Sequence, residues 1–564
     1  MSPELIKQRF SFLQGERSTA EERWDAIQRF IAPYRGDFFK TNDSEQAVEL
    51  DKSEVLDGTA LQASQTLASN LHGNLTSAYV RWFATHFRGS ELNDDPDARE
   101  WTEAASDAMW AELQESNFSG EIAENYLDLT TFATTFTFEE PRIDDGIAWD
   151  GLTFAAMPLK ECYFEEGIDG KVSHFYRALK YTPLQLVEKF GPDVLPQDIQ
   201  QEAAGPTAVS RKEDVIFCIY PLKLGQRKVL QLKKKPPKRR PYQYKYVLAR
   251  DMTVLKEGGY YELPVFVTRW GKVCESKWGH GPSHIAIYDV QTLNQQESLT
   301  MQALSKVIDP PQKATERGVI GDVDMRPAGI TIVRNIDDLK PITNGTEWNV
   351  VGMERDNRRA MIREYYMISR LELKDSPAMT ATEVERRWQQ MQKLLGPTLG
   401  RLQSDLLGPI IETTFAIMWR AGRLPPLPAS LASLEAELDI EYTGPLPIAQ
   451  KSDVALAIER EIGLATNLVQ AWGPEALDPI DIVKAVYEHA RLTAVPARIL
   501  RTPAEIAKVK KDRQAKEKQA QQAAMAQQSA GALKDAGSGM KSLKEAGMMG
   551  GEQDLEDMQT GGTA

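Results

Sequence analysis

The sequence predicts an α+β protein, mainly helical, and three observations carry that reading. Apolar residues recur at helical spacing over long stretches near both ends of the chain. Between about 136 and 275 the texture changes to short β-branched and aromatic runs divided by Gly, Pro and Asp. One tract, 380–421, would run about 60 Å at 1.5 Å per residue if unbroken, too long for the core of one compact domain. The whole chain has 564 residues, roughly three or four domains' worth of packing.

Residues 1–36 carry Trp24, Ile27 and Ile31 at helical spacing, and Pro33 ends the pattern. Residues 52–82 form a second helical stretch and 96–136 a third, rich in Trp and Phe. TFTFEE, GLTFAAMP and KVSHFYRAL then read as strands, a short helix spans Pro183 to Phe190, and strand texture resumes with VIFCIYPL, YQYKYVLA and LPVFVTRW. Tyr242, Tyr244 and Tyr246 alternate, so at strand period they share one face and suit packing. The next helix, 283–307, keeps Ala286, Val290, Leu293, Leu304 and Val307 on one stripe. The rest of its surface is rich in amides and hydroxyls, among them Gln291, Asn294, Gln295, Gln296, Ser298 and Gln302, and Asp309-Pro-Pro stops it.

A turn-rich stretch, 310–348, with the strand-like GITIVRNI in its middle, separates that helix from another over 350–370. After the loop SRLELKDSPAMT, Thr380 and Glu383 form a capping box that opens the long tract. LLGP occurs in it twice, at 394–397 and 406–409, and each Pro should bend it. RLPPLP, a strand ELDIEY and helices to about Leu500 follow. From Lys508 the chain is Lys/Gln/Ala-rich and then Gly/Met-rich, which predicts a lone helix over 508–534 and a flexible tail over 535–564.

The net charge is −14, so the surface as a whole is not built to grip nucleic acid. The charge is uneven. From Val215 to Arg250 there is no Asp or Glu, while Lys233, Lys234, Lys235, Arg239 and Arg240 cluster in KKKPPKRRP. A Pro pair, a further Pro and a charge run cannot form a buried strand, so this piece reads as an exposed hairpin tip, either merely solvated or a docking surface for an acidic partner or nucleic acid. No apolar run approaches the roughly 18 residues of a membrane helix. The charged start lacks the apolar core of a signal peptide, which predicts folding in a cytoplasm. Cys162, Cys218 and Cys274 stand far apart and read as free, mostly buried thiols.

Enzymatic chemistry finds no support in the motifs. The chain contains no GxxxxGK[ST], GxGxxG, GxSxG or HExxH. Asp322 with Asp324, Glu139-Glu140 and Asp144-Asp145 read as solvated carboxylates. The stretch KWGHGPSH, 277–284, could be a metal site, a phosphate loop or a hinge. His280 and His284 stand i, i+4, but Gly281 and Pro282 lie between them and no Glu follows His280. Pro282 also removes an amide that a phosphate loop would use. The hinge reading is stronger: glycines for an unusual turn, Pro282 at the first helical position and Ser283 as a cap. No cofactor is implied.

Several of these pieces taken together are similar to a known family. WGHGPSHIAIYDVQTLNQQESLTMQALSKVIDPPQKA, MTATEVERRWQQMQKLLGPTLGRLQSDLLGPIIETTFAIMWRAGRLP, ELDIEYTGPLPIAQKSD and the N-terminal RFSFLQGERSTAEERWDAIQRFIAPYRGDFF resemble the head-to-tail connector (portal) family of short-tailed bacteriophages. His280 departs from the pattern, where Arg is expected. The resemblance covers most of 1–495 and implies a portal fold, a ring, usually dodecameric, at one capsid vertex, assembled in the host cytoplasm. Double-stranded DNA would be packaged and later ejected through it. It implies a wing over 1–275, a first stem helix over 276–309, a clip over 310–348 and a second stem helix over 349–370. A tunnel loop over 371–379, a kinked helix and wing strand over 380–444 and a crown over 445–507 would follow. The implied partners are terminase, tail adaptor proteins, and major capsid and scaffold proteins, with no enzymatic activity; the alternative is a tail or capsid component without a channel. A DNA channel must avoid tight phosphate contacts, which the acidic chain and amide-rich stem suit. Gln295 and Gln302 are the amide candidates to face DNA, and Arg370 and Lys374 the cations near a constriction.

Overall fold

The computed structural model describes residues 1–35, 55–87, 96–144, 148–206, 208–209, 211–222, 236–274, 276–308, 312–314, 332–334, 339–341, 348–368, 396, 398–428, 438–442, 445–473, 480–492, 495, 501 and 505–522. It comprises two units, Met1–Ala494 and Val495–Ala564. The second holds one described helix, 505–522. The tail expected over 535–564 lies outside the described residues, as do Asp322, Asp324, the Thr380–Glu383 box and Pro397.

Helix α1 (Pro3–Phe30) begins where the Ser2 hydroxyl accepts from the Leu5 amide at 3.3 Å and Pro3 presets the first turn. Trp24, Ile27 and Ile31 are buried, as their spacing requires. The buried Arg17 donates to the carbonyls of Leu159, Cys162 and Lys160 at 3.1, 3.0 and 2.8 Å and so pins α1 to the strands behind it. Helix α2 (Thr59–Leu75) is shorter than its sequence pattern. The Asp57 carboxylate accepts from the Thr59 amide at 2.9 Å and fixes its start. Strand β1 (Phe83–Phe87) follows, with Phe83, Thr85 and Phe87 inward.

The helical stretch expected over 96–136 divides into α3 (Pro96–Glu115) and α4 (Phe118–Phe132). At the break, Asn117 makes a two-way hydrogen bond with the backbone of Phe154, Oδ1 accepting at 2.9 Å and Nδ2 donating at 2.7 Å. That partner is distant in sequence, so local propensity gives no warning of the break. Ala133, with φ at 59°, closes α4 in the left-handed region.

Two antiparallel sheets then stack. Strands β2 (Thr134–Asp144), β3 (Ala148–Met157) and β9 (Val265–Arg269) form one, in the order β3-β2-β9. Strands β4 (Cys162–Glu166), β5 (Val172–Tyr181), β6 (Glu213–Pro221), β7 (Tyr242–Leu248) and β8 (Val254–Tyr260) form the other in chain order. Phe136 meets Phe164 at 5.8 Å and Phe138 meets Phe217 at 6.3 Å, and these rings join the sheets. The tyrosine row packs as expected: Tyr246 stacks on Phe217 at 4.4 Å and Tyr244 lies 4.8 Å from Tyr260. Between β5 and β6 stand the expected helix α5 (Pro183–Phe190), with a Thr182–Gln185 capping box, and a further short helix, α6 (Gln197–Ala203). Cys162 and Cys218 are buried and Cys274 is exposed, all free.

Glu139 and Glu140 correct the solvated-pair reading. Both lie within β2, and Glu139 is completely buried. Strand alternation puts one residue of every adjacent pair on the inner face, whatever its type.

Helix α7 (Pro282–Ile308) follows β9 in the chain. A two-stranded ribbon of β10 (Gln312–Ala314) and β11 (Leu339–Pro341) and helix α8 (Trp348–Tyr365) follow. Helix α9 (Gly408–Ala421) ends the long tract at Gly422, φ 70°. It is preceded by a π-helical turn, Gln403–Leu407. Pro409 has no N–H and its ring crowds the carbonyl of Asp405, so the regular ladder cannot continue there. The bend expected at the second LLGP therefore takes the form of a widened turn. Strand β12 (Leu438–Tyr442) pairs antiparallel with β1, and helices α10 (Pro445–Trp472) and α11 (Ile482–Leu492) complete the unit.

Candidate functional site

The stretch 277–284 is a packed joint. Trp278 is buried edge-on against Trp24 at 4.9 Å and Phe164 at 5.0 Å. Neither Gly279 nor Gly281 has positive φ, so the glycines serve close approach, not a turn. A Cβ on Gly279 would lie 1.9 Å from the Ala133 carbonyl oxygen, and one on Gly281 2.9 Å from Ala133 Cβ. The Gly279 amide donates to Thr134 Oγ1 at 2.8 Å and the His280 amide to the Gly271 carbonyl at 2.9 Å. Pro282 opens α7 as expected, but Ser283 is no cap. Its hydroxyl donates to the Thr130 carbonyl at 2.8 Å and lies 2.7 Å from the Tyr366 hydroxyl.

The rings of His280 and His284 stand 5.1 Å apart. Burial first, then His280 and Arg23, push His284 down to about 4, so it is neutral near pH 7. Among the described residues no group of three or more His, Cys, Asp and Glu is placed to hold a metal.

From this joint α7 and α8 run antiparallel as an arm. Ser283 meets Tyr366 near the body and Gln312 pairs with Pro341 at the ribbon, with the intervening contacts keeping one register. Arg358 pairs with Asp289 at 3.0 Å, and the Tyr365 hydroxyl donates to Asp289 at 2.9 Å. Arg355 and Arg359 reach Glu297 at 3.0 and 2.8 Å, and Arg359 also holds Asp57 at 2.8 Å. Hydrogen bonds and the Arg359 charge hold the Asp57 carboxyl below its ordinary range against the opposing cost of burial, its largest single influence. Asn294 Oδ1 accepts from the Leu56 and Asp57 amides at 2.7 and 3.3 Å, tying the arm to the start of α2. Sequence reasoning missed this lattice. Its signal was Arg355, Arg358 and Arg359 at helical spacing opposite Asp289 and Glu297, two turns apart.

The apolar stripe of α7 divides. Ala286, Val290 and Leu293 are buried, but Leu304 is 49% and Val307 54% exposed, and Ile308 76%. The stripe expected to be uniform thus has a body-bound half and a bare half. Gln295 and Gln302 are both exposed on this helix. Arg370 and Lys374 lie outside the described residues, as do Lys233, Lys234 and Lys235. Arg239 is exposed in a turn over Pro237–Arg239. Arg240 is engaged by the body: its guanidinium donates to the Gly259 carbonyl at 2.8 Å and lies 4.7 Å from the Tyr261 ring, whose other guanidinium neighbour is Arg420 at 4.4 Å. The structure therefore separates the two arginines of the basic segment. The hairpin connection itself agrees with β6–β7 pairing, which ends at Pro221 and Tyr242.

A family model described as bacteriophage head to tail connecting protein matches residues 4–500. A protein of Bordetella phage BPP-1 named "Probable portal protein" is 26% identical over 541 residues, covering 93% of this chain and 94% of that one. The "Portal protein" of Salmonella phage epsilon15 is 25% identical over 541 residues, covering 93% of each.

Proposed function

The chain belongs to the bacteriophage head to tail connecting protein family, and from that premise we propose that it closes into a ring at one capsid vertex and forms the conduit through which double-stranded DNA is packaged and ejected. The arm is the stem: α7 and α8 of successive copies line the channel, and the ribbon with the residues between its strands is the clip that meets terminase and later the tail adaptor. The region before the joint is the wing, with the tunnel loop over 371–379 and the crown over 445–507. The conduit does no chemistry of its own.

The observation that carries this reading is the bare half of the α7 stripe. Met301, Leu304, Val307 and Ile308 are exposed on one helix of a single chain, and so is Met353 on its partner helix. A contiguous exposed apolar surface marks an interaction site, and a heterologous contact that closes yields a ring. Three of the arm's cations support the conduit role. Arg355, Arg358 and Arg359 are held by Glu297, Asp289 and Asp57, which lowers their availability to DNA phosphates. The basic segment before β7, with Arg239 exposed, faces capsid or scaffold in this reading. Electron micrographs of the purified full chain test it. Rings with a central hole are expected; compact particles without a hole would count for the non-channel alternative.

A further inference from the structure

The three-stranded sheet turns a row of polar side chains toward the helical layer. Thr135, Thr137 and Glu139 alternate along β2 and share one face, and Thr268 of β9 stands opposite Thr135 on that same face. The other face sends Phe136 and Phe138 into the five-stranded sheet. All four polar residues are buried. Thr135 is satisfied by Asn125 of α4. At the far end Thr414 of α9 donates to Glu139 Oε1 at 2.7 Å, joining helix to sheet. Among the described residues, Glu139 Oε2, Thr137 Oγ1 and Thr268 Oγ1 have no hydrogen-bond partner.

The charges around Glu139 do not compensate it. The β3 residue opposite is Phe154, and β9's approach contributes only the Pro264 carbonyl, which accepts from the Glu139 amide at 2.9 Å. The nearby ionisable group is another carboxylate, Glu262. The cation on α9, Arg420, is already committed to Glu262 through two bonds of 2.7 and 2.5 Å. Burial above all, with the Glu262 charge adding to it, pushes Glu139 well above the ordinary 4.5, and the Thr414 hydroxyl offsets only part of this.

We propose that Glu139 is a proton-held latch: as a neutral acid it docks α9 on the three-stranded sheet, and loss of its proton loosens that helix. The docked form binds the proton more tightly than the open form, where Glu139 meets water. The latch is therefore at full strength below about 4.5 and weakens as pH rises toward the folded group's own titration. In that window the opening equilibrium of α9 should rise about tenfold per pH unit. The inference does not depend on ring assembly.

Hydrogen exchange of the full chain, followed by mass spectrometry from about pH 5 to about pH 9 and corrected for intrinsic exchange, tests it, the slope being read where it is steepest. Other buried groups titrate as well, so the reading is the difference between wild type and Glu139→Gln, which keeps the shape and an acceptor for Thr414. Wild-type α9 amides should lose protection with pH, approaching about tenfold per unit, while Glu139→Gln should stay flat. Equal slopes in the two proteins, or no slope in wild type, would overturn the proposal. If Glu139→Gln does not fold, Glu139→Leu, which also removes the titrating group, supplies the second comparison: its α9 slope should be flat, and a wild-type slope there would overturn the proposal. Thr414→Val should lower protection several-fold at every pH and keep the slope; a slope lost in Thr414→Val but kept in Glu139→Gln would overturn the proposal too.

Discussion

The two halves of α7 carry the same stripe and meet opposite fates. Near the body, Val290 and Leu293 are sealed and Asn294 and Glu297 are fixed by α2 and α8. Beyond Glu297 the stripe continues through Leu304 and Val307 into solvent. Helical spacing announces an apolar face but does not say whose surface covers it. Here the body-bound half finds its cover within the chain, and the outer half awaits another copy in the proposed ring.

Substitutions can break or sharpen that contrast. The largest loss is expected at the joint that aims the arm. Trp278→Ala would empty a site between Trp24 and Phe164, costing about 3–5 kcal/mol, read as a lower denaturant midpoint. Leu293→Ala, on the sealed half, should cost about 3 kcal/mol by the same cavity argument. Acid should also strike the joint. His284 is held from its ordinary 6.5 down to about 4, so the unfolded chain binds the extra proton between those values. Stability is then complete above 6.5 and falls as pH drops toward 4, by on the order of 3 kcal/mol. His284→Gln should flatten this acid limb in melts taken across the window; an unchanged limb would assign it to other groups. The smallest effect on the single chain is expected on the bare half, where Leu304→Ala should move the midpoint by less than about 0.5 kcal/mol while weakening association.

The parts that could be read from the sequence are those fixed by local patterns. Pro3 and Pro33 bracket α1, the tyrosine row marks β7, and Pro282 opens α7 within a residue of its expected start. What escaped depends on distant partners. Asn117 breaks a helix because Phe154 is there to bond it. FATHF becomes β1 because β12 pairs with it. Glu139 looked like one of a solvated pair until the strand alternation placed it under α9. For the arm, the amides Gln295 and Gln302 were visible, but the arginine lattice needed Asp57 and Asp289 brought together by folding. The basic segment shows the same limit: its charge is plain in the sequence, yet only the fold commits Arg240 to Gly259 and Tyr261.

The central claim is that the bare half of α7 is covered by a second copy. Mass photometry of the full chain beside Leu304→Glu/Val307→Glu tests it most directly. Wild type should give one closed oligomer, and the variant single chains that keep the wild-type circular dichroism spectrum. An oligomer of the same size in the variant would contradict the claim.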